Sequence, residues 1–216
     1  MTRHADKGIL YVISAPSGTG KSTVARALVA RVPELGFSVS YTTRERREGE
    51  RDGTDYHYVD RQEFEKMIAE GAMLEWANVF GQLYGSSLHR IRESLDDGNS
   101  VLLDIDVQGA KQVREGKIPS VSIMLLPPDF DTLVGRLKSR GSESAEQLDR
   151  RLARARDEVG DYRYFDYVVV NDDLEESVSA LESIVRAQWH RTDNSDRIVN
   201  RVLATFPEGD GVAKER

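Results

Sequence analysis

The sequence has no cysteine, which excludes disulfide bridges, thiolate zinc sites and cysteine nucleophiles. It also lacks an apolar run near the roughly 20 residues of a membrane-spanning helix, and residues 1–7 hold no signal-peptide core. Basic residues are outnumbered, 30 against 37 acidic ones, so the net charge is -7. Because a general nucleic-acid-binding surface needs a basic excess, the composition argues against one. We expect a cytoplasmic protein without membrane, nucleic-acid or obligate protein partners.

What the chain does have is the pattern of an α/β protein. Its 216 residues, 39% of them hydrophobic and 31% charged, suit one folded domain. Short apolar runs predict strands buried on both faces, as in a parallel sheet covered by helices. These runs are residues 9–14, 101–106, 121–126 and 167–170. Helical patterns at 22–31, at 130–138 and from Leu174 onward alternate with them, which predicts a three-layer core.

Residues 37–90 follow a different pattern and predict a small mixed subdomain inserted in the core. Short strand patterns lie beside glycines and indicate hairpins. The strands are 56–59, 73–80 and 83–84, and the glycines are Gly53, Gly81 and Gly85. Between them, Asp60 and Glu63 mark the start of a helix that ends at Gly71. Residues 139–164 form a third, highly charged piece that predicts a helix; a solvated surface helix is the simplest reading.

Residues 14–23, Ser-Ala-Pro-Ser-Gly-Thr-Gly-Lys-Ser-Thr, nearly match the phosphate-binding loop pattern of Gly, four residues and Gly-Lys-Ser/Thr. The run follows a predicted buried strand and begins a predicted helix. Its glycines allow the backbone amides to turn inward, and the helix N-terminus adds a positive dipole end. The pattern places Lys21 on the β- and γ-phosphates of a nucleotide and the Ser22 hydroxyl on magnesium. The predicted phosphate-binding residues are Ala15, Pro16, Ser17, Gly18, Thr19, Gly20, Lys21, Ser22 and Thr23.

Ala15 departs from this pattern, because it stands where the first glycine is usual. Glycine is required only where φ is positive or where a Cβ would collide with a neighbour. Pro16 favours extended backbone at Ala15, where alanine is acceptable. We expect a working loop; the alternative is a structural glycine turn between strand and helix.

Beyond the loop, the chain resembles guanylate kinases over about residues 8–188. The matching segments are FSVSYTTR (37–44), REGE (47–50), GTDYHYV (53–59), LEWA (74–77), YGS (84–86), LDIDVQG (103–109), RG (140–141) and VNDD (170–173). The resemblance implies a P-loop NTPase-type core, an inserted GMP-binding region and a helical lid. The boundaries are about 8–36, 91–138 and 165–192 for the core, 37–90 for the insert, 139–164 for the lid and 193–216 for a tail. It also implies Mg²⁺-dependent transfer of the ATP γ-phosphate to GMP, giving ADP and GDP.

The GMP side makes chemical sense residue by residue. A monophosphate carries about two negative charges at neutral pH, which suits the two-pronged guanidinium groups of Arg44 and Arg47, with hydroxyls from Tyr56 and Tyr84. Taken alone, residues 44–51 also fit a solvated charged loop. The resemblance assigns GMP binding to Ser40, Arg44, Arg47, Tyr56, Glu75, Tyr84, Ser86, Asp104 and Asp106.

Guanine presents N1–H and a 2-amino group as neighbouring donors, so a carboxylate can pair with both, whereas adenine has a bare acceptor at N1. By resemblance Glu75 is that carboxylate, with Ser40 and Asp106 as further base contacts. The competing reading makes Glu75 the exposed phase of an alternating strand. Asp104 and Asp106 are predicted to end a buried strand with their side chains on one face. Resemblance puts Asp104 near magnesium through water and turns Asp106 toward guanine.

The resemblance also assigns the ATP side. Arg136, Arg140 and Arg151 match arginines of the lid and its hinge, and Asn171 matches a position near adenine. The implied catalytic set is Lys21, Arg44, Arg140 and Arg151. No general base is needed, because the acceptor oxygen of GMP is already anionic. Two rivals are a kinase of ribose 1,5-bisphosphate, which has no use for Glu75, and a phosphopeptide-binding guanylate-kinase-like module, which typically lacks an intact lysine loop.

Overall fold

A five-stranded parallel sheet lies at the centre of the computed structural model, which describes residues 8–79, 81–116, 118–139 and 145–207. The strands are β1 (Leu10–Ser14), β2 (Leu35–Phe37), β3 (Tyr41–Thr42), β4 (His57–Tyr58), β5 (Met73–Val79), β6 (Gln82–Ser87), β7 (Ser100–Asp104), β8 (Ser120–Leu126) and β9 (Tyr167–Val170). The helices are α1 (Lys21–Arg31), α2 (Arg61–Ala69), α3 (Leu88–Asp96), α4 (Val107–Glu115), α5 (Phe130–Ser139), α6 (Ala145–Gly160), α7 (Leu174–Trp189) and α8 (Asp196–Leu203). Short 3₁₀ turns follow α6 and α7.

The central sheet has the order β2-β7-β1-β8-β9, and β1 is buried along its whole length. Alternate side chains of β1 face opposite layers. Tyr11 and Ile13 pack in an apolar cluster with α1 and α7, whereas Leu10 and Val12 pack in a second cluster with α3 and α4. The predicted α/β fold with a parallel sheet between helical layers is therefore confirmed.

The second sheet has the order β4-β3-β6-β5 and lies wholly within residues 37–90. Strands β5 and β6 form an antiparallel hairpin around Gly81, which has φ +86°. The predicted hairpin at Gly53 is wrong, because β4 pairs parallel to β3. Gly85 lies inside β6 rather than in a turn. A Cβ there would come within 2.7 Å of the Glu75 carbonyl oxygen and 3.1 Å of the Phe64 ring, so close packing explains this glycine.

The predicted strand 101–106 is too long. Strand β7 ends at Asp104, and Asp106 instead caps α4, where its side chain accepts a hydrogen bond of 2.8 Å from the Gly109 amide. The apolar Ile105 and Val107 extend the strand-like pattern, but an aspartate that caps a helix offers the backbone a competing local structure. Sequence reasoning also missed α3 and α4, each of which is only nine residues long.

Helix α6 covers part of α5 through a small apolar cluster. Leu133, Leu137 and Ala155 are its buried members, with Leu148 and Leu152 partly buried beside them. Helix α8, by contrast, has no buried residue. Within the described ranges, no helix is long and apolar enough to cross a membrane.

Candidate active site

The loop between β1 and α1 has the backbone that a phosphate cradle needs. Gly18 and Gly20 have φ of 95° and 97°, which side chains rarely adopt. A Cβ on Gly18 would lie 2.8 Å from Leu137, and one on Gly20 would lie 2.9 Å from the Asn171 amide nitrogen. Ala15 is buried and belongs to the apolar cluster beneath α1, so its methyl group has a place in the core.

Two of the predicted ATP residues brace this loop from behind. The Thr19 carbonyl accepts hydrogen bonds from the Asn171 side chain at 2.7 Å and from Arg136 at 3.0 Å. Arg136 also donates to the Asn171 carbonyl at 3.1 Å. The side chains therefore fix the loop backbone, a role that sequence reasoning missed because residues 19, 136 and 171 are far apart in the chain. Their contacts with ATP stay predictions.

Lys21 connects the loop with the end of β7. Its ammonium group forms an ion pair with Asp104 and donates a hydrogen bond of 2.8 Å to the Ile105 carbonyl. Both side chains are largely buried, with 19% of Lys21 and 10% of Asp104 exposed. The Lys21 ammonium group, which the loop pattern predicts to bind nucleotide phosphates, thus lies between the loop and the carboxyl end of the central sheet.

A cavity of about 240 Å³ opens beside Lys21 and brings predicted residues from both sheets together. Eight of them line it: Lys21, Ser22, Ser40, Tyr56, Glu75, Tyr84, Asp104 and Asp106. A larger cavity of about 990 Å³ lies at the amino ends of the strands. Its lining includes Gly8, Ser120 and Tyr167, which lie at or just before the first residues of β1, β8 and β9. Since open α/β sheets bind ligands at the carboxyl ends of their strands, the smaller cavity is the candidate site.

Glu75 is the buried acid of this cavity. Only 3% of the residue is exposed, while its neighbour Trp76 is 38% exposed, so the reading of Glu75 as the exposed phase of β5 is wrong. Its carboxylate accepts a hydrogen bond of 2.7 Å from Ser86. Burial raises the pKa of Glu75 to about 7; Ser86 and Lys21 oppose this shift, and Asp106 adds to it.

Gly109 is a residue whose role sequence reasoning missed. It lies in the first turns of α4, and a Cβ there would come within 2.5 Å of the Glu75 carboxylate. In the sequence, the only indication that Gly109 matters was its place in the segment 103–109, which resembles guanylate kinases. Absence of a side chain at this position lets the helix approach the acid closely.

Arg44 is held in place beside the cavity by Glu50, a second residue that sequence reasoning left without a role. Their side chains form an ion pair at 2.7 Å, and Glu50 also accepts hydrogen bonds from the Arg47 amide and the Tyr58 hydroxyl. These bonds lower the pKa of Glu50 to about 2, and the bond from Arg44 has the largest effect. The Arg44 guanidinium carbon lies 5.4 Å from the centre of the Tyr56 ring. Arg47 itself is exposed.

Helix α6 contributes one arginine to the loop side of the site. Arg151 donates a hydrogen bond of 2.6 Å to the Ser17 hydroxyl of the loop. Arg140, the other predicted lid arginine, lies outside the described residues. No group of three or more acidic or histidine side chains that could hold a metal by itself occurs in the part of the chain that the structure describes.

A glycine loop of this geometry, between the central strand of a parallel sheet and a helix, defines a P-loop nucleotide-binding protein of the α/β class. Comparison with known families narrows the class, because the guanylate kinase family model matches residues 7–188. The chain belongs to the guanylate kinase family.

Individual relatives agree over nearly the full length of each chain. Guanylate kinase from Thiobacillus denitrificans is 48% identical over 187 residues, which cover 87% of this chain and 90% of the relative. Guanylate kinase from Neisseria gonorrhoeae is 50% identical over 181 residues, covering 84% and 88%. The crystal structure of guanylate kinase from Anaplasma phagocytophilum matches with a TM-score of 0.75 at 34% identity, covering 95% of this chain and all of that one.

Proposed function

We propose that this protein transfers the γ-phosphate of ATP to GMP, giving ADP and GDP, with Mg²⁺. The observation that carries the proposal is the buried Glu75 in the same cavity as the loop lysine Lys21. Burying an acid is unfavourable unless a partner satisfies it, and guanine supplies two donors side by side. The arrangement unites a base-reading group and a phosphate-binding group in one site.

On the acceptor side, Glu75 pairs with guanine N1–H and the 2-amino group, and Ser40 and Asp106 make further base contacts. An adenine ring would leave the buried carboxylate facing an acceptor, which explains selection for guanine. The GMP phosphate binds Arg44, Arg47, Tyr56 and Tyr84. Glu50 supports this role of Arg44, because it holds the guanidinium beside Tyr56. Ser86 supports Glu75 through its hydrogen bond.

On the donor side, the loop of residues 15–23 holds the ATP phosphates through its backbone N–H groups, which every residue except Pro16 has. Lys21 exchanges part of its contact with Asp104 for the β- and γ-phosphates and neutralises charge during transfer. Arg151 and Arg140, from the proposed lid at 139–164, neutralise the same charge. Arg136 joins these arginines in neutralising charge on the phosphates, and Asn171 binds near the adenine. Both side chains also brace the loop. No side chain needs to remove a proton, since the GMP phosphate oxygen is already anionic.

Ser22 and Asp104 fit a magnesium ion. Both line the cavity, both present oxygen atoms, and Mg²⁺ in such sites is held by one or two protein oxygens together with substrate phosphates. Ser22 would ligate the ion directly and Asp104 through water. When bound, the ion supplies charge neutralisation on the phosphates. We further propose that the enzyme works in the cytoplasm on free nucleotides, which a chain without cysteine suits.

The proposal is tested by an ADP-release assay in which GMP, AMP, CMP, UMP and ribose 1,5-bisphosphate are offered in turn with ATP, each with and without Mg²⁺. We expect ADP release with GMP only and only with the metal, with a preference over AMP of about 100-fold or more in kcat/KM. Turnover of ribose 1,5-bisphosphate at a similar rate would contradict the proposal, as would an absence of turnover with every acceptor.

A further inference from the structure

Arg154 of α6 is absent from the predicted site, yet it joins the helix to the guanine side of the cavity. Its guanidinium donates a hydrogen bond of 3.1 Å to the Asp106 carboxylate and another of 2.7 Å to Glu158 on the same helix. The other oxygen of Asp106 accepts from the Gly109 amide at 2.8 Å. Asp106 is thus held by α4 on one side and by α6 on the other.

The same face of α6 also contacts the phosphate-binding loop. Arg151, three residues before Arg154 and therefore on the same side of the helix, donates to the Ser17 hydroxyl. The Ser17 backbone also faces Glu158, one turn after Arg154, and opposes the burial that raises the pKa of this carboxyl. One helix therefore touches both halves of the site, the loop through Arg151 and Glu158 and the base side through Arg154.

The contact between Arg154 and Asp106 differs from an ordinary surface ion pair. The side chains are 35% and 21% exposed, whereas Arg150 and Glu146 on the same helix are 74% and 76% exposed. Exposed ion pairs one helical turn apart contribute little to the stability of a protein. Arg154 and Asp106 are 48 residues apart in the chain, so their hydrogen bond exists only when α6 lies against the end of β7 and the start of α4.

We propose that Arg154 is a positioning residue that couples closure of α6 over the phosphate-binding loop to recognition of GMP through Asp106. A carboxylate oxygen accepts more than one hydrogen bond, so the oxygen facing Arg154 can also accept from the guanine amino group. Arg154 fixes the orientation of that carboxylate through a charge-assisted hydrogen bond. This inference rests on the proposed function, and it predicts that ATP and GMP strengthen each other's binding.

The test measures the dissociation constant of GMP by calorimetry, alone and with a saturating non-hydrolysable ATP analogue. In the unsubstituted protein the analogue is expected to tighten GMP binding by about tenfold, a typical coupling between sites. In Arg154→Ala, the factor by which the analogue tightens GMP binding, here called the gain, is expected to be smaller by about fivefold or more. By linkage the gain that GMP gives to the analogue falls by the same factor.

Two variants serve as controls. Arg150→Ala removes an arginine of the same helix whose hydrogen bond is to Glu146, and it is expected to leave the gain unchanged. Arg154→Lys keeps the charge without the two-pronged geometry and is expected to restore part of the gain. Thermal melting checks folding; if Arg154→Ala melts early, Arg154→Gln and Arg154→Lys are compared instead.

The outcomes separate this inference from the proposed function. If the unsubstituted protein does not bind GMP, the proposed function fails. If it binds GMP and the analogue leaves that binding unchanged, or if Arg154→Ala keeps the full gain, only the coupling role of Arg154 is overturned.

Discussion

At the scale of the residue, Glu75 shows a conflict between folding and binding. A carboxylate with 3% exposure and a pKa raised from 4.5 to about 7 is held at a cost, because its charged form is poorly solvated in the fold. The folded protein binds the Glu75 proton more tightly than the unfolded chain does. Between about pH 4.5 and 7 this lowers the free energy of unfolding as pH rises. Side chains with a strongly shifted pKa are concentrated at binding and catalytic sites, so this cost favours a binding role for Glu75.

Glu75→Gln should therefore stabilise the protein while it weakens GMP binding. Removing the buried charge is expected to raise the free energy of unfolding at pH 8 by about 1 to 3 kcal/mol, with a smaller gain at pH 5, where the carboxyl is already protonated. GMP affinity is expected to fall about 100-fold, since an amide presents a donor to guanine donors. Urea denaturation at both pH values and calorimetry with GMP measure the two effects.

ATP binding by the Glu75→Gln variant serves as the control and should change little. A loss of stability at pH 8, or equal weakening of GMP and ATP, would count against the assignment of Glu75 to guanine.

At the scale of the element, the close approach of α4 to β5 shapes the part of the cavity around Glu75. Gly109 permits it, because any side chain there would meet the Glu75 carboxylate. Asp106, at the start of the same helix, caps α4 and also lines the cavity. Helix α4 thus determines the relative positions of Glu75 and Asp106 in the cavity.

Gly109→Ala tests this approach. Alanine favours a helix by up to about 1 kcal/mol over glycine, so stability is not expected to fall much. The KM for GMP should rise about tenfold, since the new methyl group displaces a carboxylate that makes charged hydrogen bonds. Steady-state kinetics with GMP and ATP varied in turn, together with thermal melting, provide the measurement.

Gly135→Ala is the matched control, because a Cβ at this exposed position of α5 meets no atom within 4 Å. It should stabilise the protein by up to about 1 kcal/mol without changing either KM. An unchanged KM for GMP in Gly109→Ala would refute the steric argument.

At the scale of the whole molecule, the core clusters and the cavity are built without α8. That helix exposes Ile198, Val199, Val202 and Leu203, and none of its residues is buried. The described residues that line the cavity all lie before α7. Folding and catalysis should therefore depend on the chain up to the turn that follows α7.

Truncation after Ser195 is expected to change the Tm by no more than about 2 °C, because α8 has no buried residue and the loss of exposed residues has small effects. The kcat and the KM for both nucleotides should stay within about twofold of the full chain, since none of the removed residues that the structure describes lines the cavity. Scanning calorimetry and the ADP-release assay measure these quantities. A large fall in Tm would indicate that α8 packs against the core or against a second copy.

Much of this molecule was predictable because its signals are local. The runs of β1, β8 and β9 and the cap at Asp60 depend on neighbours in the chain, and the structure reproduces their positions. The prediction of burial on both faces is wrong for β9, because this strand lies at the edge of the sheet and exposes Val168 and Val170. The parallel pairing of β4 with β3 and the interior position of Gly85 were mispredicted, because strand pairing and the contact with Phe64 join distant residues. The roles of Gly109 and Glu50 were missed for the same reason.

The sequence by itself determined the α/β class, the phosphate-binding loop and, through the matching segments, the guanylate kinase family. Periodicity, turn chemistry and a glycine-lysine loop are properties of consecutive residues. Only the tertiary structure decided that Glu75 is buried, that Asp106 caps a helix and that Arg154 reaches it from α6. Burial and long-range hydrogen bonds depend on which elements pack together, and no local pattern records that.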